Sequence, residues 1–230
     1  MGDKTGIEWT DATWNAVRGC TRVSEGCRNC YAETVAHRFS GEGQPYEGLV
    51  NDKARWNGQV KFVREHLLDP LRWKRPRKVF VNSMSDLFHE GFSFDQIAAQ
   101  FAVMCAAPRH SFQVLTKRPA RMREFFLWLC EGEDPDEMLH DRLDQALARG
   151  EMAAAQIKAT DRLVYPDSGW ASAFCAPHIM IGVSIEDQRA ADERLPYLAW
   201  LSSEFNFCPF VSCEPLLGAV ELGAYAEILD

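Results

Sequence analysis

The chain has 230 residues, 47% of them hydrophobic, and a formal net charge of -8. That is enough for one large domain with a real core, and too acidic for global attraction to nucleic acid, so any such binding needs a local basic patch. Eight cysteines are too few for a small disulfide scaffold. Met1-Gly2-Asp3-Lys4 leads into no apolar signal segment and no run is long enough to span a bilayer, which predicts a cytoplasmic, reducing location without a membrane partner.

In chain order, Ile7 to Trp9 is the first candidate strand, and Trp9 and Trp14 flank the approach to a cysteine loop. The loop runs Gly19-Cys20-Thr21-Arg22-Val23-Ser24-Glu25-Gly26-Cys27-Arg28-Asn29-Cys30, a C-x6-C-x2-C spacing. The C-x2-C pair brings Cys27 and Cys30 within reach of one metal centre, and Cys20 can close over it from upstream. No fourth Cys or His follows nearby. Three thiolates with one open position suit a metal or iron–sulfur site that binds something besides protein. A helix is expected from about Cys30. Arg72, Lys74, Arg75, Arg77 and Lys78 then form a basic run around Trp73. Such a run can contact phosphates, and equally it can be an ordinary solvated helix end.

Four short apolar runs read as strands covered on both faces: Lys78–Asn82, Phe112–Thr116, His178–Ser184 and Phe210–Cys213. Ser93 and Gln96 form a capping box before one helix, Pro119 suits the first turn of a second, and Asp187 can cap a third that reaches about Leu195, where Pro196 breaks or restarts it. Residues 131–177 interrupt the rhythm and read as a helical insertion or lid. The strand–helix alternation predicts a single α/β domain over residues 1–230, built as a partial, open parallel β/α barrel with that insertion.

Sites in parallel α/β folds lie beyond the carboxyl ends of the strands. Ser83, Asp86, Lys117, Glu186, Ser212 and Glu214 all stand there. With Arg118 as an alternative to Lys117, such a set could hold a carboxylate, an amine and a ribose. The plainer alternatives are that Asp86 and Asp187 cap helices and that His89 is exposed. Cys105, Cys130, Cys175 and Cys208 show no ligand spacing, and Cys105 and Cys130, in helical stretches, read as small buried hydrophobes; Cys213 is a candidate fourth ligand or hydrogen-atom donor, with packing the favoured reading.

The runs TGIEWTDATWN, SEGCRNCYAE, VNSMSDLFHE, VLTKRP, IGVSIEDQ, DERLP and FVSCEPLLG resemble the phage and prophage three-Cys-motif family. That family of unknown function is described as similar to radical S-adenosylmethionine enzymes. The resemblance covers the chain to about residue 118 and again over 178–218. The C-x2-C-Tyr-Ala ending also resembles the cluster loop of the spore photoproduct lyase-like branch of those enzymes. It implies that Cys20, Cys27 and Cys30 ligate three irons of a [4Fe–4S] cluster. The fourth iron would take S-adenosylmethionine, whose reductive cleavage yields a 5′-deoxyadenosyl radical. The first gap here has six residues, where the commonest spacing of that superfamily has three. Relatives continue into a further strand with a Gly-Gly-Glu-Ser-Gly run, so a C-terminally shortened chain is expected. The phage setting implies modification or repair of nucleic acid, with a protein encoded nearby as a candidate partner. The alternative is a zinc-binding, non-catalytic accessory or assembly module with a distant fourth ligand such as His37, His89 or Cys213.

Overall fold

The structure is a computed structural model that describes residues 5–130, 177–205 and 207–228. Its strands are β1 (Ala12–Trp14), β2 (Val17–Arg18), β3 (Lys61–Phe62), β4 (Lys78–Val81), β5 (Ser111–Thr116), β6 (Ile179–Ser184) and β7 (Cys208–Ser212). Its α-helices are α1 (Tyr31–Arg38), α2 (Asp69–Arg72), α3 (Phe94–Cys105), α4 (Pro119–Leu129) and α5 (Gln188–Phe205). Five strands form one sheet in the order β1-β4-β5-β6-β7, each neighbouring pair parallel. The sheet order follows the chain order without reversal. β2 and β3 pair antiparallel beside it. The fold is therefore α/β with a parallel sheet, as the alternation predicts.

The apolar runs explain the layering. Val79, Phe112 and Ile179 lie side by side, as do Val81, Val114 and Ile181. All six are buried with Ile97 and Phe101 of α3, Phe125 and Phe126 of α4, and Phe205 of α5. Residues two apart in a strand share a face, so these rows form one wall of a common core. The other face carries Phe80, Gln113 and Met180 in register, then Leu115 beside Gly182 and Phe210. Gln113, Leu115, Met180 and Phe210 there are only half-buried. Coverage of both faces, which the run composition predicts, holds for one face among the described residues.

Local signals place the helices. Ser93 Oγ accepts from Gln96 N at 3.3 Å and Gln96 Oε1 accepts from Ser93 N at 3.0 Å, so the capping box forms at the start of α3. Pro119 opens α4. Asp187 Oδ1 accepts from Ala190 N at 2.8 Å at the start of α5. Three expectations need correction. The first strand is Ala12–Trp14 rather than Ile7–Trp9, because Asp11 Oδ2 accepts from Lys78 N at 2.8 Å and fixes the pairing there. The last strand starts at Cys208 and stops at Ser212. α5 runs through Pro196 to Phe205, since Leu195, Leu198, Leu201 and Phe205 are all buried along it. The expected insertion lies, but for its final residue, outside the described residues, and so does Cys175. Among the described residues no helix is long and apolar enough to cross a membrane.

Candidate functional site

Parallel strands send all their carboxyl ends to one side, and a cavity of about 980 Å³ opens there. Cys20, Cys27 and Cys30 line it together with Asn82, Thr116, Ser184 and Ser212 from the strand ends. The cysteine loop reaches this position through a glycine. Gly19 has φ +88°, and a Cβ on it would fall 2.3 Å from the carbonyl oxygen of Gln59. Only glycine combines that backbone conformation with that contact. Glu25–Cys27 forms a 3₁₀ turn in which Cys27 N donates to Ser24 O at 3.0 Å. Cys30 is the N-cap residue of α1, so the last thiol sits where the helix begins.

Two arginines fix the loop between them. Arg22, within it, pairs with the buried Glu33 of α1, its Nε donating to Oε1 at 3.0 Å and its Nη2 closing the fork on Oε2. Trp56 N also donates to Glu33 Oε1, at 3.1 Å. Arg118, just past β5, donates to Thr21 Oγ1 at 2.6 Å and Thr21 O at 3.0 Å, and its Nη1 comes within 3.8 Å of Cys20 Sγ. Burial pushes the Cys20 thiol up to about 12; the Asp86 charge adds to the rise and Arg118 opposes it. A metal taking Cys20 must therefore displace a proton held more firmly than an ordinary thiol proton.

Five of the six strand-end candidates, Ser83, Asp86, Lys117, Ser212 and Glu214, line the same cavity as the thiols. Their chemistry differs. Lys117 and Glu214 have no ion-pair partner among the described residues, and Glu214 is exposed. Asp86 is already engaged: it accepts from Thr116 Oγ1 at 2.8 Å, Phe88 N at 3.0 Å, Lys117 N at 3.0 Å and Arg118 Nη1 at 3.2 Å. Glu186 does not border the cavity. It is 1% exposed, paired with Arg194 at 2.8 Å, and lies behind the loop, where a Cβ on Gly26 would come 2.9 Å from its carboxyl carbon.

The described residues contain no group of three His, Cys, Asp or Glu placed to hold a single metal ion. The candidate fourth ligands stand away from the cavity wall. His37 is exposed in the last turn of α1, about 10 Å along the helix from Cys30 at 1.5 Å per residue. His89 is buried rather than exposed, at 4%. Its Nδ1 accepts from Gly91 N at 3.0 Å and its Nε2 is 3.0 Å from Thr21 Oγ1. Cys213 is exposed.

Sequence reasoning missed several wall residues. Tyr31 lines the cavity and donates from Oη to Ser83 O at 2.6 Å. Its position directly after Cys30, at the helix start, was the available signal. Asn82 has φ +58°, a conformation Asn tolerates better than most residues. Phe80 was missed as well; Trp9, which the sequence places at the approach to the cysteine loop, packs on it with ring centroids 4.7 Å apart, and both line the cavity, whereas Trp14 is buried in the core.

A family described as protein of unknown function, DUF5131, matches residues 4–228. The chain belongs to the DUF5131 family. The matched span takes in the cysteine loop, all five strands of the parallel sheet and every strand-end residue named above. No curated protein and no solved structure matches this DUF5131 chain.

Proposed function

We propose that this DUF5131 protein is a radical S-adenosylmethionine-like iron–sulfur enzyme. Cys20, Cys27 and Cys30 would hold three irons of a [4Fe–4S] cluster, leaving the fourth iron for S-adenosylmethionine. The observation that carries this reading is that three thiols from one loop of eleven residues line one cavity at the carboxyl ends of a parallel sheet. A cluster of several irons takes each thiolate on a separate corner, so it asks for sulfurs around a space rather than on one point. The donor set also fits the cofactor. Lys117 is placed to attract a carboxylate and Glu214 an amine. Ser184 and Ser212 offer hydroxyls to a ribose, and Trp9 and Phe80 give an apolar wall that excludes water. When bound, the cluster would supply an electron to the sulfonium of S-adenosylmethionine. The zinc alternative needs a fourth ligand, and His37, His89 and Cys213 all stand off the cavity wall.

We read the sheet as an open parallel β/α barrel, because its strands follow chain order and α3, α4 and α5 share one face. The half-buried face would then be the barrel interior. Nucleic acid, that of a phage included, is the proposed substrate class, with cytoplasmic action and a protein encoded nearby as a further partner. The support comes from Trp9 and Tyr31, both exposed at the cavity, and from Arg28 and Lys117 beside them, a combination able to stack a base and meet its phosphates. The basic run at 72–78 gives no such support. Lys78 opens β4, about 13 Å from the Asn82 end at 3.3 Å per residue.

Anaerobic purification followed by iron and sulfide analysis tests the reading. The wild type is expected to carry both, and Cys27→Ala to lose them. Glu214→Gln should keep the cluster and weaken S-adenosylmethionine binding about tenfold, the effect of losing one charge-assisted hydrogen bond. Stoichiometric zinc in a colourless wild type, or no metal at all, would overturn the proposal.

A further inference from the structure

Arg118 is 6% exposed, and each of its five N–H groups has an acceptor. Nε donates to Glu90, at 3.0 and 3.2 Å from its two oxygens. Nη1 donates to Asp86 Oδ2 at 3.2 Å and points its other hydrogen toward Cys20 Sγ at 3.8 Å. Nη2 donates to Thr21 O at 3.0 Å and Thr21 Oγ1 at 2.6 Å. No donor is left over for a ligand carboxylate, which gives that part to Lys117. The guanidinium is itself immobilised, because Asp86 is held from Thr116 Oγ1 and from two backbone N–H groups. The arrangement joins the sheet to the first ligand of the loop through one rigid cationic fork.

Resting on the cluster reading above, we propose that Arg118 is a positioning residue: it holds the Cys20 sulfur at its corner and raises the reduction potential of the group bound there. A cationic N–H on a ligating thiolate disperses the negative charge that one added electron brings. It therefore favours the reduced form, and hydrogen bonds to sulfur together with net charge are known levers on such potentials. Asp86 and Glu90 do not cancel the effect. With them in place, losing the Arg118 contact leaves the Cys20 corner under the unopposed charge of Asp86.

The test uses the full chain with Arg118→Lys, which retains the charge but has three N–H donors in place of five. This choice avoids stranding buried Asp86 without a cation, which would risk the fold. In the metal-free protein, hydrogen exchange at residues 19–23 should quicken about tenfold, the loss of one charge-assisted hydrogen bond. After anaerobic reconstitution the variant should still bind iron, with a midpoint potential more negative than the wild type's. Thr21→Val serves as the control: it loosens the loop without touching the sulfur contact, so it should quicken exchange and leave the potential near the wild-type value. A folded Arg118→Lys with unchanged exchange overturns the proposal. Faster exchange with an unchanged potential overturns it too and leaves Arg118 a structural brace. If the wild type binds no iron, the cluster reading falls with its effect on potential, and exchange at Cys20 still decides whether Arg118 positions the thiol.

Discussion

Two carboxylates just past β4 and β6, on either side of β5, do opposite kinds of work from what their positions suggest. Asp86 borders the cavity yet spends both oxygens on the chain itself. Glu186 turns away from the cavity to meet Arg194, whose Nη1 also donates to Ser184 O at 2.7 Å. Both members of that pair are nearly sealed, at 1% and 3% side-chain exposure. Removing one partner of such a pair strands the other's charge in a dry interior. Arg194→Leu is therefore expected to lower stability by about 3–5 kcal/mol, read from urea unfolding. A loss under about 1 kcal/mol would mean that water reaches Glu186. The sequence shows where a strand ends and that a carboxylate follows it. It does not show which carboxylate is desolvated, because that depends on Arg194 returning from two helical turns further on. Lys117 and Glu214 line the cavity as their places past the strand ends predict, while Glu186, predicted there too, does not. Arg118 was legible only as an alternative, since its acceptors come from two segments far from it in sequence, Cys20 with Thr21 and Asp86 with Glu90.

At the scale of the elements, legibility follows length and burial. β4, β5 and β6 are apolar runs of four to six residues, long enough to stand out from their flanks, and their positions were read within a residue. β1 has three residues and β2 and β3 have two each. No periodicity fits into so short a span, so pairing alone creates them. α5 was read as ending near Leu195 because Pro196 lacks an N–H and crowds the preceding turn. The helix persists because its buried leucines hold it against β6 and β7, a tertiary gain that outweighs propensity. Pro196 is exposed on the outer side of α5. Pro196→Ala should therefore restore a helical hydrogen bond at no packing cost and stabilise the protein by about 1–3 kcal/mol, somewhat below the full helix penalty of proline. An unchanged or lower urea midpoint would show that the turn before Pro196 is already bent to suit it.

Across the whole molecule, the thiol cavity occupies one end of the sheet, and two histidines, His110 buried and His178 half-buried, stand at the other. His110 precedes β5 and His178 precedes β6. Each Nε2–H donates to a backbone carbonyl at 3.0 Å, His110 to Pro70 and His178 to Met104. His110 Nδ1 is buried without a hydrogen-bond partner. Burial lowers both imidazoles below their ordinary value of 6.5, and Arg109 and Arg77 push His110 further the same way. His89 is lowered likewise, by burial and then by Arg118. In the unfolded chain these rings take up protons near pH 6.5, whereas in the fold they resist until a lower pH. Between those values the unfolded state binds more protons, so stability rises with pH. The contribution is complete above about pH 6.5 and drains away as pH falls below it. Carboxylates titrate lower still, which leaves the window from about pH 7.5 to 5.5 to the histidines. Urea midpoints should accordingly fall across that window. The variant carrying His110→Gln and His178→Gln should fall less, because two of the three rings no longer charge. If wild type and double variant lose stability in parallel, His110 and His178 are not held neutral by their surroundings in the fold.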